Sequence, residues 1–271
     1  IIQSSGTECG TIGTLGFKSP SGMVSTGFTT PESVEVHQML NTLKLAQVNN
    51  IIMEISSHSL DLYRVKDVDI DIGIFSNLSE EHLDFHGNME NYFSSKLKLF
   101  KNLQPSKTAI INIDDPYYKK ICENTSAKIL TYGKNKNADI YPKNTSFNID
   151  GLKTLLIYRD HEINIKSQIT GEHNLYNIMA STAAAITMGI PIKYIEKGLS
   201  TVPPIPGRLE YVKSNFPGKI FIDYAHTPDA YSKLFSTIKK IKKKSEKIIT
   251  LFGCGGNRDK NKRSQMGALC D

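Results

Sequence analysis

Glu80, Glu81, His82, Asp84 and His86 crowd one short stretch before Gly87, and Lys96 follows in the next helix-forming run. Carboxylates and imidazoles at this density can hold a divalent cation or move a proton. Lys96 is the odd member of the set. Asn88 reads as an N-cap for a helix running to about Phe100, on which Met89, Tyr92, Phe93, Leu97 and Phe100 share one stripe at helical spacing. Lys96 lies four residues after Tyr92 and three after Phe93, so it points inward with them, whereas Lys98 and Lys101 point away. An amine aimed at a core must be paired, must snorkel outward or must be chemically altered, because an unpaired buried ammonium is very costly. A second candidate is Glu54, a carboxylate in the otherwise apolar run Asn50–Ile55, which needs a cation or a donor beside it; a metal site, a phosphate site and a structural salt bridge would each supply one.

The elements that must position these groups alternate. The apolar run Asp71–Phe75 predicts a buried strand that ends at Ser76-Asn77, ahead of the acidic loop. Thr29-Thr30-Pro31 leads into a helix over Ser33–Val48, with Pro31 in its first turn and Thr30 as a cap; the free amides there suit an anion as well as an ordinary cap. Asn50–Ile55 reads as a fully buried strand, and Thr108–Ile113, a helix, and Lys128–Tyr132 follow. The expected class is therefore α/β with a doubly wound, mostly parallel sheet. Such sheets bind ligands beyond the carboxyl ends of their strands, where Glu54, Ser56, Asn77 and His82 lie. Leu152–Ile169 predicts an antiparallel addition, and Gly171–Met188 an alanine-rich helix with Asn174 and Asn177 in its first turn, placed to read a base or to cap. Pro203–Gly207 marks a stiff linker, which gives domains of 1–206 and 207–271. Beyond it Arg208–Val212, Lys219–Ile222 and Lys247–Phe252 read as strands around a helix over Pro228–Lys243, the start of a second Rossmann-like α/β domain.

Composition narrows the classes. With 271 residues, 39% hydrophobic and 22% charged, the chain has ample material for a core. No apolar run approaches bilayer-spanning length, the opening residues lack a signal-peptide pattern, and no membrane insertion is expected. The four cysteines form no CxxC pair, which fits a reduced cytoplasmic compartment. Much of the net charge of +6 lies in Lys239–Lys247, a run without interleaved aromatics; it reads as a solvated helix end rather than a nucleic-acid surface.

Three functions compete. Metal-dependent hydrolysis through His82-xxx-His86 is weak, because Leu83 replaces the glutamate of HExxH and Gly87-Asn88 puts the pair ahead of the helix. A nucleotide-binding regulator without chemistry would use the α/β units as a clamp. An ATP-driven ligase is the third, and here whole motifs converge. Thr29-Thr30-Pro31, Glu54-xx-Ser57-His58, Asn77-Leu78-Ser79-xx-His82-Leu83-Asp84-x-His86-Gly87, Lys96, Gly171-x-His173-Asn174-xx-Asn177 and Gly207-Arg208-Leu209-Glu210 occur in order. Asp223 through Ala230 and Phe252 through Arg263 continue the series. In order and spacing the chain resembles the Mur ligases, most closely the branch that adds the third peptide residue (the MurE type).

The resemblance implies an ATP-dependent ligase of peptidoglycan synthesis, acting through an acyl phosphate, with ATP and Mg2+ as cofactors. Its partners would be UDP-N-acetylmuramoyl-dipeptide and a free amino acid, meso-diaminopimelate or L-lysine, and the protein would be a monomer. It implies that Lys96 is carbamylated and joins Glu54 and His82 as a magnesium ligand. Thr29, Thr30, Ser56 and Arg64 would hold the nucleotide-linked substrate, and Arg258 the incoming amino acid. Asn177, Arg208, Asp223 and His226 would meet the ATP. The family's phosphate loop is expected just ahead of residue 1 and its DNPR-like motif after residue 271, so little ATP turnover is expected of these residues by themselves.

Overall fold

The computed structural model describes residues 1–254 and 261–270, and they fall into two compact units. The first comprises Ile1–Tyr141 with Met179–Gly198, the second Pro142–Ile178 with Leu199–Asp271.

In the first unit β1 (Cys9–Gly13), β2 (Gly16–Ser19) and β3 (Gly22–Val24) form an antiparallel meander. Helix α1 (Ser33–Leu45) returns the chain so that β4 (Asn50–Met53) pairs parallel to β1, from Cys9↔Asn50 to Ile12↔Met53. After α2 (Ser57–Asp61) a second run of parallel strands begins. It comprises β5 (Ile72–Phe75), β6 (Thr108–Asn112) and β7 (Lys128–Tyr132), in register from Ile72↔Thr108 and Thr108↔Lys128. Between β5 and β6 come α3 (Leu83–His86) and α4 (Met89–Asn102), and α5 (Tyr118–Asn124) precedes β7. The α/β class holds, with the parallel strands divided between two sheets. Strand β8 (Ile140–Asn148) starts beside β7 at Tyr132↔Ile140.

The core that fixes α4 is aromatic. Phe75, Tyr92, Phe93, Leu97, Phe100, Ala109, Ile111 and Ile121 form one buried cluster, with Phe75 edge-on to Phe100 at 6.1 Å. The stripe read from the sequence is the face that α4 buries, and the Asn88 side chain accepts the Asn91 amide as its N-cap.

The second unit holds the antiparallel hairpin β9 (Gly151–Tyr158) and β10 (His161–Ser167), whose register runs from His161↔Tyr158 to Ser167↔Leu152. Helices α6 (Glu172–Thr187) and α7 (Ile192–Thr201) each run across the division between units. Strands β11 (Glu210–Val212) and β12 (Ile220–Ile222) pair antiparallel, then α8 (Pro228–Ile241) packs Tyr231 and Phe235 on Met266 of α9 (Asn261–Cys270). The lysine run does close a helix: Lys239 and Lys240 occupy the last turn of α8.

Several expectations change. Thr30 does not cap α1; Glu32 does, in a reciprocal capping box with Glu35, because the Thr30 hydroxyl is committed elsewhere. The helix stops at Leu45, with Gln47 in the left-handed region at φ 58°. Asn50–Ile55 is not fully buried: among the described residues β4 is an edge strand paired only to β1, which leaves Ile51 and Ile52 exposed. Residues 247–252 form no strand. Ile249 and Leu251 stand 95% and 99% exposed, since no neighbouring strand takes their backbone among the described residues, and the β11–β12 pair is a hairpin rather than half of a parallel βαβ unit. No described helix is long and apolar enough to cross a membrane.

Phe100→Ala should cost about 3–5 kcal/mol in urea unfolding, the usual range for emptying a closed aromatic site. A loss under about 1 kcal/mol would show that α4 is not anchored by this cluster.

Candidate functional site

Helix α4 delivers Lys96. Its side chain is half-buried with Nζ 5.2 Å from the centre of the Tyr92 ring, one turn earlier. Burial lowers its pKa, and the charge of Glu81 only partly opposes this. No acid lies within ion-pairing distance of Nζ among the described residues, so the amine is inward and unneutralised, as the helical spacing requires. Burial and Glu81 together push the Tyr92 phenol up to about 12, so the ring stays neutral beside the amine.

His82 enters through a strained backbone. It stands at the start of α3 with φ 58° and ψ 24°, a left-handed conformation that costs a β-carbon-bearing residue of order 1–3 kcal/mol. That turn sets its ring edge-on to Tyr92 at 5.9 Å and edge-on to His58 at 4.9 Å. Tyr92 therefore touches both His82 and the amine of Lys96.

Glu54 follows β4 and is exposed, not embedded in a strand. Its Oε2 accepts the backbone amide of Thr14 at 3.0 Å and the Thr14 hydroxyl at 2.7 Å. The carboxylate lies so close over Gly13 that a β-carbon there would approach Glu54 Cδ to 2.8 Å. The donor it needed is thus Thr14, a residue the sequence does not single out, and no salt bridge to Glu54 occurs among the described residues. Thr14 Oγ1 also contacts Thr29 Oγ1 at 3.0 Å.

The Thr30 hydroxyl donates to the Glu54 carbonyl at 2.8 Å and accepts the Ser56 amide at 3.1 Å, tying the Thr29–Pro31 loop to the segment after β4. Ser56 caps α2 by accepting the Ser59 amide at 3.1 Å. Arg64 donates from Nη1 to the Thr30 carbonyl at 3.0 Å and pairs with Glu32, while its Nε is buried without a partner. Thr29, Thr30, Ser56 and Arg64 thus form one connected rim beside Glu54.

His86, counted with the ligand-type residues in the sequence, is withdrawn from them. Its side chain is 1% exposed, stacked on Tyr92 at 5.0 Å and 21°, with Nε2 2.9 Å from Ser57 Oγ and Nδ1 3.4 Å from Asp61 Oδ2. The Ser95 hydroxyl donates to the same Asp61 oxygen at 2.7 Å, and Lys98 Nζ to the other at 2.6 Å. Lys98 therefore points not to open water but to Asp61. The buried pairing of His86 removes the His82-xxx-His86 hydrolase reading. Among the described residues no three His, Cys, Asp or Glu side chains converge as a metal centre. Glu54 and His82 are too few for Mg2+, which prefers oxygen. A third ligand, with oxygen to offer, fits only if Lys96 becomes a carbamate, and an amine without an acid partner whose pKa burial lowers suits that change.

The nucleotide candidates belong to the second unit. The Asp223 carboxylate accepts the amides of Leu209 at 2.7 Å and Ala225 at 2.8 Å, and Arg208 stacks over Tyr224 at 5.5 Å. His226 Nδ1 lies 2.9 Å from the Tyr224 carbonyl. His173 feels the charges of Asp223 and Arg208, though burial dominates and lowers its pKa. Asn177 is exposed and donates to Asn174 Oδ1 at 3.2 Å, while Asn174 is buried on the Thr170 carbonyl. Arg258 lies outside the described residues.

The family model for the Mur ligase middle domain matches residues 1–185, and that for the Mur ligase glutamate ligase domain matches residues 207–271. The chain is 38% identical over 271 residues to the UDP-N-acetylmuramoyl-L-alanyl-D-glutamate–2,6-diaminopimelate ligase of Clostridium botulinum, covering 99% of this chain and 55% of that protein. Against the enzyme of the same name from Aquifex aeolicus it is also 38% identical, covering 100% of this chain and 55% of the relative. A solved structure of a ligase of that name superposes with a TM-score of 0.79 at 28% identity, over 99% of this chain and 55% of that one. The folylpolyglutamate synthase of Mycobacterium tuberculosis, solved with ADP and AMPPCP, shares the fold alone, with a TM-score of 0.71 at 15% identity over 88% of this chain and 61% of that one. The chain thus spans little more than half the length of its curated relatives.

Hydrogen bonds fix a pH dependence. Burial alone would raise the Asp61 carboxyl, but the bonds from Lys98 and Ser95 and the Lys98 charge outweigh it and hold the pKa below the ordinary range. That stabilisation is complete above the unfolded value near ~3.9 and is lost as pH falls through the folded one. Asp61→Asn should therefore flatten the loss of stability measured by urea titration between neutral and acid pH. An unchanged slope would contradict the assignment.

Proposed function

Because the chain belongs to the Mur ligase family, we propose that the whole protein joins 2,6-diaminopimelate to UDP-N-acetylmuramoyl-L-alanyl-D-glutamate at the cost of ATP. The named activity of relatives 38% identical across 99% of the chain supports this choice of substrates. The γ-phosphoryl group passes to the terminal carboxylate, giving an acyl phosphate and ADP. The amine of the amino acid attacks the acyl carbon, and phosphate leaves as the amide forms and the amine gives up a proton.

The observation that carries the reading is the Lys96 amine, held against Tyr92 without an acid partner and driven toward neutrality by burial. A neutral amine adds carbon dioxide to give a carbamate and one proton, turning a cation into a carboxylate-like ligand. Glu54, His82 and Lys96 as carbamate would hold Mg2+, which when bound offsets the repulsion between two phosphate-bearing reactants. Thr14 orients the Glu54 carboxylate through its backbone amide and its hydroxyl. Thr29, Thr30, Ser56 and Arg64 orient the nucleotide-linked substrate beside it, and Arg258 takes the carboxylate of the amino acid through its guanidinium fork. Asn177 meets the adenine, Arg208 and Asp223 the phosphates and ribose, and His226 the same nucleotide. A division at 206/207 into an ATP-binding domain and a closing domain, supported by the matched ranges 1–185 and 207–271, would exclude water from the acyl phosphate. A reduced cytoplasmic setting and a monomeric state complete the reading.

In the whole protein, Lys96→Ala should lower ligation about a thousandfold, roughly 4 kcal/mol of transition-state stabilisation. Added bicarbonate should raise the activity of the unsubstituted protein only. Full activity in Lys96→Ala would remove the metal-ligand role.

A further inference from the structure

The buried His86 belongs to no role assigned above, yet it ends α3 and joins it to α2 and α4. A carboxylate can only accept, so the Nδ1 that faces Asp61 at 3.4 Å carries the imidazole hydrogen, shared with Ser95 Oγ at the same 3.4 Å. Nε2 then accepts from the Ser57 hydroxyl at 2.9 Å. Ser57, His86 and Asp61 stand in the order of a hydrolase relay, but Ser57 is 2% exposed and offers no hydroxyl to a substrate. Its position in the chain is more telling. Ser57 follows Ser56 and the Glu54 segment, Ser95 adjoins Lys96, and His86 ends the short helix that His82 begins. The Asn91 side-chain Nδ2 of α4 donates to the His86 carbonyl at 2.9 Å, and the His86 ring lies flat on Tyr92, the wall of the Lys96 amine.

We propose that His86, as the neutral Nδ1–H tautomer, is a positioning residue that locks α2, α3 and α4 together through Ser57, Asp61 and Ser95, and so sets where Glu54, His82 and Lys96 stand relative to one another. This rests on the ligase reading. Without the lock, Lys96 would still be buried by its helix, but the carbamate would lose its fixed place beside Tyr92 and its partners. The role is therefore one of geometry at the amine, separate from the burial that lowers its pKa.

The test uses the whole protein with Ser57→Ala, which removes one hydroxyl, and His86→Asn, which keeps an N–H near Nδ1 and loses the bond to Ser57 and the stack on Tyr92. Each should lower kcat and raise the bicarbonate concentration for half activation by about tenfold or more, the usual effect of removing a group that orients a ligand, with KM for ATP unchanged. A merely structural loss would lower the melting temperature without moving the bicarbonate dependence. Isotope-labelled bicarbonate followed by NMR separates the outcomes. If the carbamate signal is absent from the unsubstituted protein, the reading of Lys96 fails and this inference with it. If it is present there and unchanged in both variants, with kcat retained, only the role of His86 fails. Should His86→Asn not fold, Ser57→Ala decides alone.

Discussion

An amine that its own helix forces out of water is the constraint on which the site depends. Lys96 cannot turn away, because α4 is pinned by Tyr92, Phe93, Leu97 and Phe100, all buried in one cluster. Moving an ammonium out of water costs several kcal/mol, whereas the ring of Tyr92 returns about 0.5–2 kcal/mol as a cation–π contact. Burial therefore lowers the pKa of the amine, with Glu81 opposing it only in part. A neutral amine is a nucleophile toward carbon dioxide, and the burial that lowers its pKa eases the loss of the proton which that step requires. The proposed magnesium chemistry follows from that exchange of charge at one position.

The other two groups are held by different means. Glu54 is exposed and owes its orientation to two donors from Thr14 and to the absence of a side chain at Gly13. His82 owes its direction to a left-handed turn at the start of α3. These three devices, a core-packed helix, a hydrogen-bonded edge and a strained turn, respond differently to mutation. The buried network of Ser57, Asp61, His86 and Ser95 ties α2, α3 and α4 together, and His82 and Lys96 stand on or beside two of those helices.

Helix α4 was legible in the sequence because its signals are local: an Asn cap, a 3.6-residue stripe and a lysine on the wrong side of it. The hairpin of β9 and β10 and the alanine-rich α6 were legible for the same reason. Long-range pairing was not. Ile51 and Ile52 read as buried, but among the described residues β4 has a neighbouring strand on one side only. The run Lys247–Phe252 has strand composition, yet a strand exists only where another backbone accepts it. Thr30 looked like a cap because nothing in its neighbourhood announced that its hydroxyl would bind Glu54 and Ser56, more than twenty positions away. His86 looked like a ligand for the same reason: Asp61 and Ser57, its partners, lie on another helix.

The central claim concerns the chemical state of one side chain, and a crystal structure of the whole protein grown with ADP, bicarbonate and Mn2+ in place of Mg2+ tests it most directly. The account requires extra density on Lys96 Nζ in the shape of a carbamate, with the anomalous peak of the metal in coordinating distance of it and of Glu54 and His82. A bare amine lying on Tyr92, with the metal bound elsewhere, would contradict it.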